Sequence, residues 1–157
     1  MEPANIIKQY AQQADVLEQA VAAIPAELIT RRPSETAWSV LEIVGHLADA
    51  ELLASVRIRR IITQDRARLW GYRQEHWATA LGYRQSRIET VTARFALLRR
   101  ENAELLPADV TDDLWNQTGL HDEDGTLSLR QLIEGYLDHT AKHLDQIHRV
   151  AAEVVNG

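Results

Sequence analysis

Apolar residues in this chain recur at spacings of three and four, and nowhere alternate over a useful length. That periodicity confines the chain to helices packed on helices. Ile7, Tyr10, Ala14, Leu17, Val21 and Ile24 make one stripe and predict a helix from about residue 4 to 23. Residues 25–36, with Pro25 and Pro33, read as a connector with room for one short helical turn. Ser39 and Glu42 then have the spacing of a capping box, and Trp38 and Ile43 that of a hydrophobic staple. Val40, Val44, Leu47, Ile58 and Ile62 share the face of the helix that follows, to about residue 63. A third helix runs from about residue 86 to 106 on Ile88, Val91, Phe95, Leu98 and Leu105, with Pro107 beyond its end. The last begins near Thr126 or Ser128 and continues to about residue 155. Its inner arc holds Leu129, Leu132, Ile133, Tyr136, Thr140, His143, Ile147 and Val150.

Two stretches interrupt the pattern. Residues 64–82 carry Trp70, Gly71, Tyr72, Trp77 and Gly82 and read as a long ordered connection held down by its aromatics. Residues 107–126 read as a loop that turns at His121-Asp-Glu-Asp-Gly125. No internal repeat or low-complexity segment is visible. The expected fold is all-α: a four-helix bundle, one domain over residues 1–157, with a long connection between helices two and three. That connection is long enough to cross the bundle, so simple up-and-down order is not implied.

Composition narrows the function. The net charge is −6 and no block of lysine and arginine stands out, which argues against nucleic acid as a partner. Arg57, Arg59, Arg60, Arg66 and Arg68 cluster, but with acidic neighbours and no aromatic stacking platform. The chain has no cysteine, so disulfides, thiolate ligands and a cysteine nucleophile are excluded. Thiol chemistry would need a thiol on a small molecule. No apolar run approaches the roughly 20 residues of a membrane span, and the start lacks the charged-then-apolar order of a signal peptide. No membrane partner is expected, and the expected location is the cytoplasm.

His139 and His143 are four residues apart on the last helix, so their imidazoles stand one above the other on one face. They are either core-edge histidines with hydrogen-bond partners or two ligands of one ion. A third imidazole from a facing helix would complete a site with open positions, suited to zinc, nickel or iron. His46, at the margin of helix two's stripe, leans inward plausibly. Thr140, Ala141 and Lys142 separate the pair, with no glutamate after the first histidine, so the motif brings no general base of its own. His76 and His121 read as solvated loop residues, and His148 sits on the opposite margin of the last stripe. Glu51 projects from the middle of helix two's apolar face. It is either in an ion pair with Arg94, Arg99 or Arg100, or near the ion. Asp49, one turn after His46, either orients it or faces water. Glu42 is occupied by capping.

These residues together resemble a known family. Trp38-Ser39-x-x-Glu42-x-x-x-His46-Leu47-x-Asp49-x-Glu51 resembles the second-helix signature of the DinB/YfiT-like superfamily. His139-x-x-x-His143-Leu144-x-Gln146-Ile147 resembles its last-helix signature. Leu69-Trp-Gly-Tyr72, Trp77-Ala78, Tyr83 and Gly119-x-His121…Gly125-x-Leu127 are similar to segments of one branch, in the same order. Arg73 departs from that branch, where an acidic residue is expected; Glu75 stands nearby. The resemblance implies a four-helix bundle, often a homodimer, with a divalent metal on His46, His139 and His143. It also implies hydrolases, or transferases and isomerases that use bacillithiol, mycothiol or glutathione.

The leading expectation is therefore a divalent-metal-dependent enzyme acting on a small molecule, a hydrolase or a transferase that uses a low-molecular-weight thiol. Such an ion lowers the pKa of its water towards about 7. Glu51 and Asp49 are the candidate catalytic carboxylates. The alternative is a non-catalytic metal-binding or ligand-sensing helical dimer. His46 lies in the second turn of its helix and the pair lies mid-helix, so the site should be off-centre and open to one side. Trp70, Tyr72 and Trp77 are expected to pack over the bundle, with Tyr72, Trp77 and Tyr136 lining a substrate pocket or else only sealing the core.

Overall fold

The computed structural model describes residues 2–64, 66–106 and 110–156. Pro107, expected just beyond the third helix, lies outside them. The four long helices are α1 (Pro3–Ala22), α2 (Val40–Thr63), α4 (Ile88–Glu104) and α6 (Leu129–Asn156). The capping box forms in both directions. Glu42 N–H donates to Ser39 Oγ at 3.3 Å, and Ser39 N–H donates to the Glu42 carboxylate at 3.0 Å. Arg32 holds the same carboxylate at 2.8 Å, so the start of α2 is tied to the connector before it. One short helical turn, Ala26–Leu28, forms in that connector, for which the sequence left room.

The bundle is not an up-and-down one. α1 packs against α4 and α6, and α2 packs against the same two helices. Consecutive helices α1 and α2 thus take opposite corners, and the connector with Pro25 and Pro33 spans the diagonal. The long connection after α2 joins neighbouring helices instead. This arrangement sets α2 beside α6, which sequence order alone would not require.

The two expected loops contain more structure than predicted. The first holds β1 (Ala67–Leu69) and a short helix α3 (Gln74–Ala80); the second holds α5 (Asp112–Asn116), β2 (Thr118–His121) and β3 (Gly125–Ser128). The strands form one sheet in the order β1-β2-β3, β1 parallel to β2 and β2 antiparallel to β3. Strands of three and four residues are too short to show alternation, and the parallel pair joins residues about fifty apart, which is why the pattern was invisible. Gly119 permits the close approach: a Cβ there would lie 2.7 Å from Leu69 Cδ1 and 2.9 Å from the Ala67 carbonyl oxygen. Gly125 closes the hairpin at φ 74, in the left-handed region. Leu105, expected inside, is 39% exposed, because α4 ends at Glu104 and the turn buries Leu106 instead.

The apolar core is split into two clusters. One gathers Ile6, Tyr10, Ala54, Ile58, Ile133 and Tyr136; the other Leu17, Val44, Leu47, Phe95, Leu144 and Ile147. Between them, at mid-bundle, lies a polar layer. Glu51 and Arg99 are 0% and 1% exposed, and Asn102 and Thr140 are fully buried. Arg99 meets Glu51 Oε2 at 2.8 Å, an ion contact whose angle falls short of a directed hydrogen bond. Its directed bonds go to Thr140 Oγ1 at 2.7 Å and Gln13 Oε1 at 3.0 Å. Asn102 donates to Glu51 Oε1 at 2.8 Å, and the Tyr10 hydroxyl donates to the same oxygen. The guanidinium also lies 4.0 Å from the Tyr10 ring centre. One buried cation thus ties together all four long helices.

Candidate metal centre

His46 is carried into the bundle by the second turn of α2, and His139 and His143 by adjacent turns on one face of α6. Their rings converge, with centroids 5.0 Å (46–139), 4.7 Å (46–143) and 4.6 Å (139–143) apart. One ring nitrogen from each lies within 4.8 Å of the others, and His46 Nε2 is 3.0 Å from His139 Nε2. Small side-chain rotations would bring the three onto one ion. Gln146 Oε1 accepts from His143 Nδ1 at 2.7 Å, which leaves the Nε2 lone pair free. The Tyr72 hydroxyl stands 3.4 Å from His46 Nδ1. His139 Nδ1 is buried and has no partner among the described residues.

The electrostatics favour neutral imidazoles. Burial pushes His46 down to about 4, with the neighbouring His143 adding to it. Burial likewise takes His139 down to about 3, helped by His143 and His46, and lowers His143. Metals bind the neutral ring, so this set of three nitrogen donors with no carboxylate fits a borderline divalent ion such as zinc, nickel or iron. A stability consequence follows for the metal-free protein. The unfolded chain takes up protons on these rings below pH 6.5, whereas in the folded chain His46 resists until about pH 4 and His139 until about pH 3. Stability should therefore be level above pH 6.5 on this account and fall as the pH drops from 6.5 to about 3. Urea midpoints of the metal-free chain across that window check this, and His139→Asn should show a shallower fall.

A cavity of about 600 Å³ opens beside His139, lined by Arg57, Tyr72, His121, Glu123 and Tyr136 among others. A second, of about 400 Å³, opens on the His143 side, lined by Trp38, Glu75, Gln146 and Arg149; Gln74 reaches both. The profile of the DinB superfamily matches residues 9–147. The chain belongs to the DinB superfamily. A protein of Oceanobacillus iheyensis named "Putative metal-dependent hydrolase" is 29% identical over 116 residues, 70% of this chain and 63% of that protein. A like-named protein of Geobacillus thermodenitrificans is 31% identical over 75 residues, 48% of this chain and 42% of that one. The chain thus spans less than two thirds of the length of these relatives. The structure of YfiT from Bacillus subtilis superposes with a TM-score of 0.86 at 18% identity, covering 96% of this chain and 86% of that one. YfiT is described as a probable metal-dependent hydrolase with an unusual four-helix bundle topology. The DinB-like YjoA of the same organism superposes at 0.64 with 14% identity, covering 96% and 92%. At these identities the two structures speak for the fold.

Within this DinB bundle the remaining candidates take definite places. Glu51 lies in the ion layer with Arg99 and touches none of the three histidines. Asp49 neither contacts His46 nor faces water: it accepts from the Tyr83 hydroxyl at 2.6 Å and from Arg94 at 2.5 Å. Tyr83 in turn packs on Gly45, where a Cβ would sit 3.2 Å from its ring. Asp49 is therefore a clasp for the turn that follows α3. Tyr72 and Tyr136 line the first cavity, while Trp77 packs behind Tyr72 with centroids 4.7 Å apart. Trp70, expected to pack inward, is 51% exposed beneath the Arg60 guanidinium. Burial raises the Tyr136 phenol to about 12, so it stays protonated at neutral pH.

Sequence reasoning undervalued His121 and passed over Arg57. His121, expected to be solvated, is buried on β2 and lines the first cavity, its Nδ1 accepting from the backbone of Glu123 and Asp124 at 3.3 and 3.2 Å. The Asp124-Gly125 pair was the available signal, since it marks a hairpin turn. His76 is exposed on α3 and His148 is exposed on α6. Among the described residues no helix is long and apolar enough to cross a membrane.

Proposed function

We propose that this chain is a divalent-metal-dependent enzyme that hydrolyses a small molecule, with His46, His139 and His143 as the ligands. The observation that carries this reading is the convergence of three imidazoles, one of which, His139, lines a cavity of about 600 Å³. A divalent ion held there supplies Lewis acidity, which makes hydroxide available from water near neutral pH. The protein's own residues hold the histidine tautomers, through Gln146 and Tyr72, and present Arg57, Tyr136 and Glu123 to the substrate. Neither Glu51 nor Asp49 acts as a base in this reading, since both are committed to cations elsewhere.

A second reading, transfer to a low-molecular-weight thiol, has one observation in its favour. The histidine cluster borders cavities on two sides, and a transferase needs room for two reactants. Elemental analysis of untagged protein tests the ion, and panels of esters and amides against thiols paired with electrophiles test the chemistry. Stoichiometric metal without turnover in either panel would favour the ligand-sensing alternative. We also propose an isologous homodimer in the cytoplasm, supported by Leu52 and Val56, one turn apart on the outer face of α2 and 43% and 41% exposed. Light scattering at micromolar concentration should give twice the chain mass; a monomer mass removes the dimer.

A further inference from the structure

Tyr136 and Arg57 form a hydrogen-bonded pair beside the three histidines. Arg57 comes from α2 and donates through Nη1 to the Tyr136 hydroxyl oxygen at 2.8 Å. Its Nη2 donates to the Trp70 carbonyl oxygen, so the guanidinium is held at both ends. Because the phenolic oxygen accepts from Arg57, its own hydrogen must point elsewhere. Among the described residues no acceptor takes it. Tyr136 stands three residues before His139 on the same face of α6, with ring centroids 6.5 Å apart, and Arg57, Tyr136 and His139 line the same cavity. Tyr136 is a buried residue, and burial strengthens any hydrogen bond its hydroxyl makes and any cost of leaving one unmade.

We infer that Tyr136 donates its hydroxyl hydrogen to an oxygen of the substrate in the first cavity, and that Arg57 is the positioning residue that aims it. The inference rests on the metal-centre reading above. It assigns the substrate to acyl or carbonyl compounds, whose oxygen gains negative charge as the carbon is attacked. A donor already oriented at that oxygen stabilises the charge without reorganising during the reaction. The adjacent cation makes the phenol a stronger donor, as charge-assisted hydrogen bonds are stronger than neutral ones.

The test uses the full chain loaded with cobalt(II), whose visible spectrum reports ligand binding without turnover. Acetohydroxamate is the probe, because its carbonyl oxygen, one of its two metal-binding atoms, keeps a lone pair for a hydrogen-bond donor. Tyr136→Phe should bind cobalt as wild type does, within about twofold, yet bind acetohydroxamate about five- to tenfold more weakly, the size of one lost hydrogen bond. Arg57→Gln should weaken the probe in the same way, and Arg57→Lys should recover part of the loss, which a merely structural role would not produce. Equal probe affinity in wild type and Tyr136→Phe overturns the donor role. A wild-type chain that takes up no cobalt overturns the metal reading, and this inference with it, so the two failures are distinguished by the metal titration alone.

Discussion

Replacing His143 by alanine should abolish stoichiometric divalent-ion binding and leave the helical fold in place. With one of three nitrogens gone, the expected fall in affinity exceeds the roughly 10- to 100-fold that follows from losing only a ligand's hydrogen-bond partner. The fold should survive because the burial that holds α6 comes from Leu129, Ile133, Leu144, Ile147 and Val150, all present in the variant. His143 is itself only half-buried. Equilibrium dialysis and circular dichroism on the same sample give both readouts. Metal retained at wild-type affinity would remove His143 from the ligand set. Loss of helical signal along with metal would make the site structural rather than a functional centre.

Replacing Arg99 by methionine should cost about 3–5 kcal/mol of folding stability, the range for breaking one side of a buried ion pair. Glu51 would then keep only Tyr10 and Asn102 as donors in a fully buried site. Thr140 Oγ1 and Gln13 Oε1 would lose the donor they share too. The double variant Arg99→Met with Glu51→Leu should recover much of the loss, because removing both charges leaves no unpaired ion in the core. Urea midpoints at constant slope measure both effects. A single variant that loses less than about 1 kcal/mol would show that the ion layer contributes little to stability. Because Thr140 adjoins His139, the single variant should also loosen the candidate centre.

This buried layer shows where sequence reasoning stops. Glu51 on an apolar face is an anomaly that one-dimensional pattern exposes at once, and Arg99 was among three arginines that could meet it. Choosing between Arg94, Arg99 and Arg100 needs the rotation of α4 against α2, because the three side chains leave α4 in different directions. In the fold Arg94 goes to Asp49, Arg99 to Glu51, and Arg100 to Asp15 and Glu18. The same limit misplaced Asp49: one turn from His46 along the helix, its carboxylate is taken by Tyr83 and Arg94, which are distant in sequence.

By itself the sequence determined the four long helices, the capping box at Ser39 and Glu42, and the His139–His143 pair, to which the family resemblance joined His46. Each depends on spacing along one helix, or on residue type, and needs no knowledge of neighbours. Only the tertiary structure decided that α2 lies beside α6 while α1 and α2 sit at opposite corners. That pairing, with the helices' relative rotation, lets His46 meet His139 and His143. Only the tertiary structure decided that β1 pairs with β2, which brings His121 to the same cavity as Arg57, Tyr72 and Tyr136. These pairings are made between segments dozens of residues apart, and their stability lies in complementary surfaces rather than in any local preference of the chain.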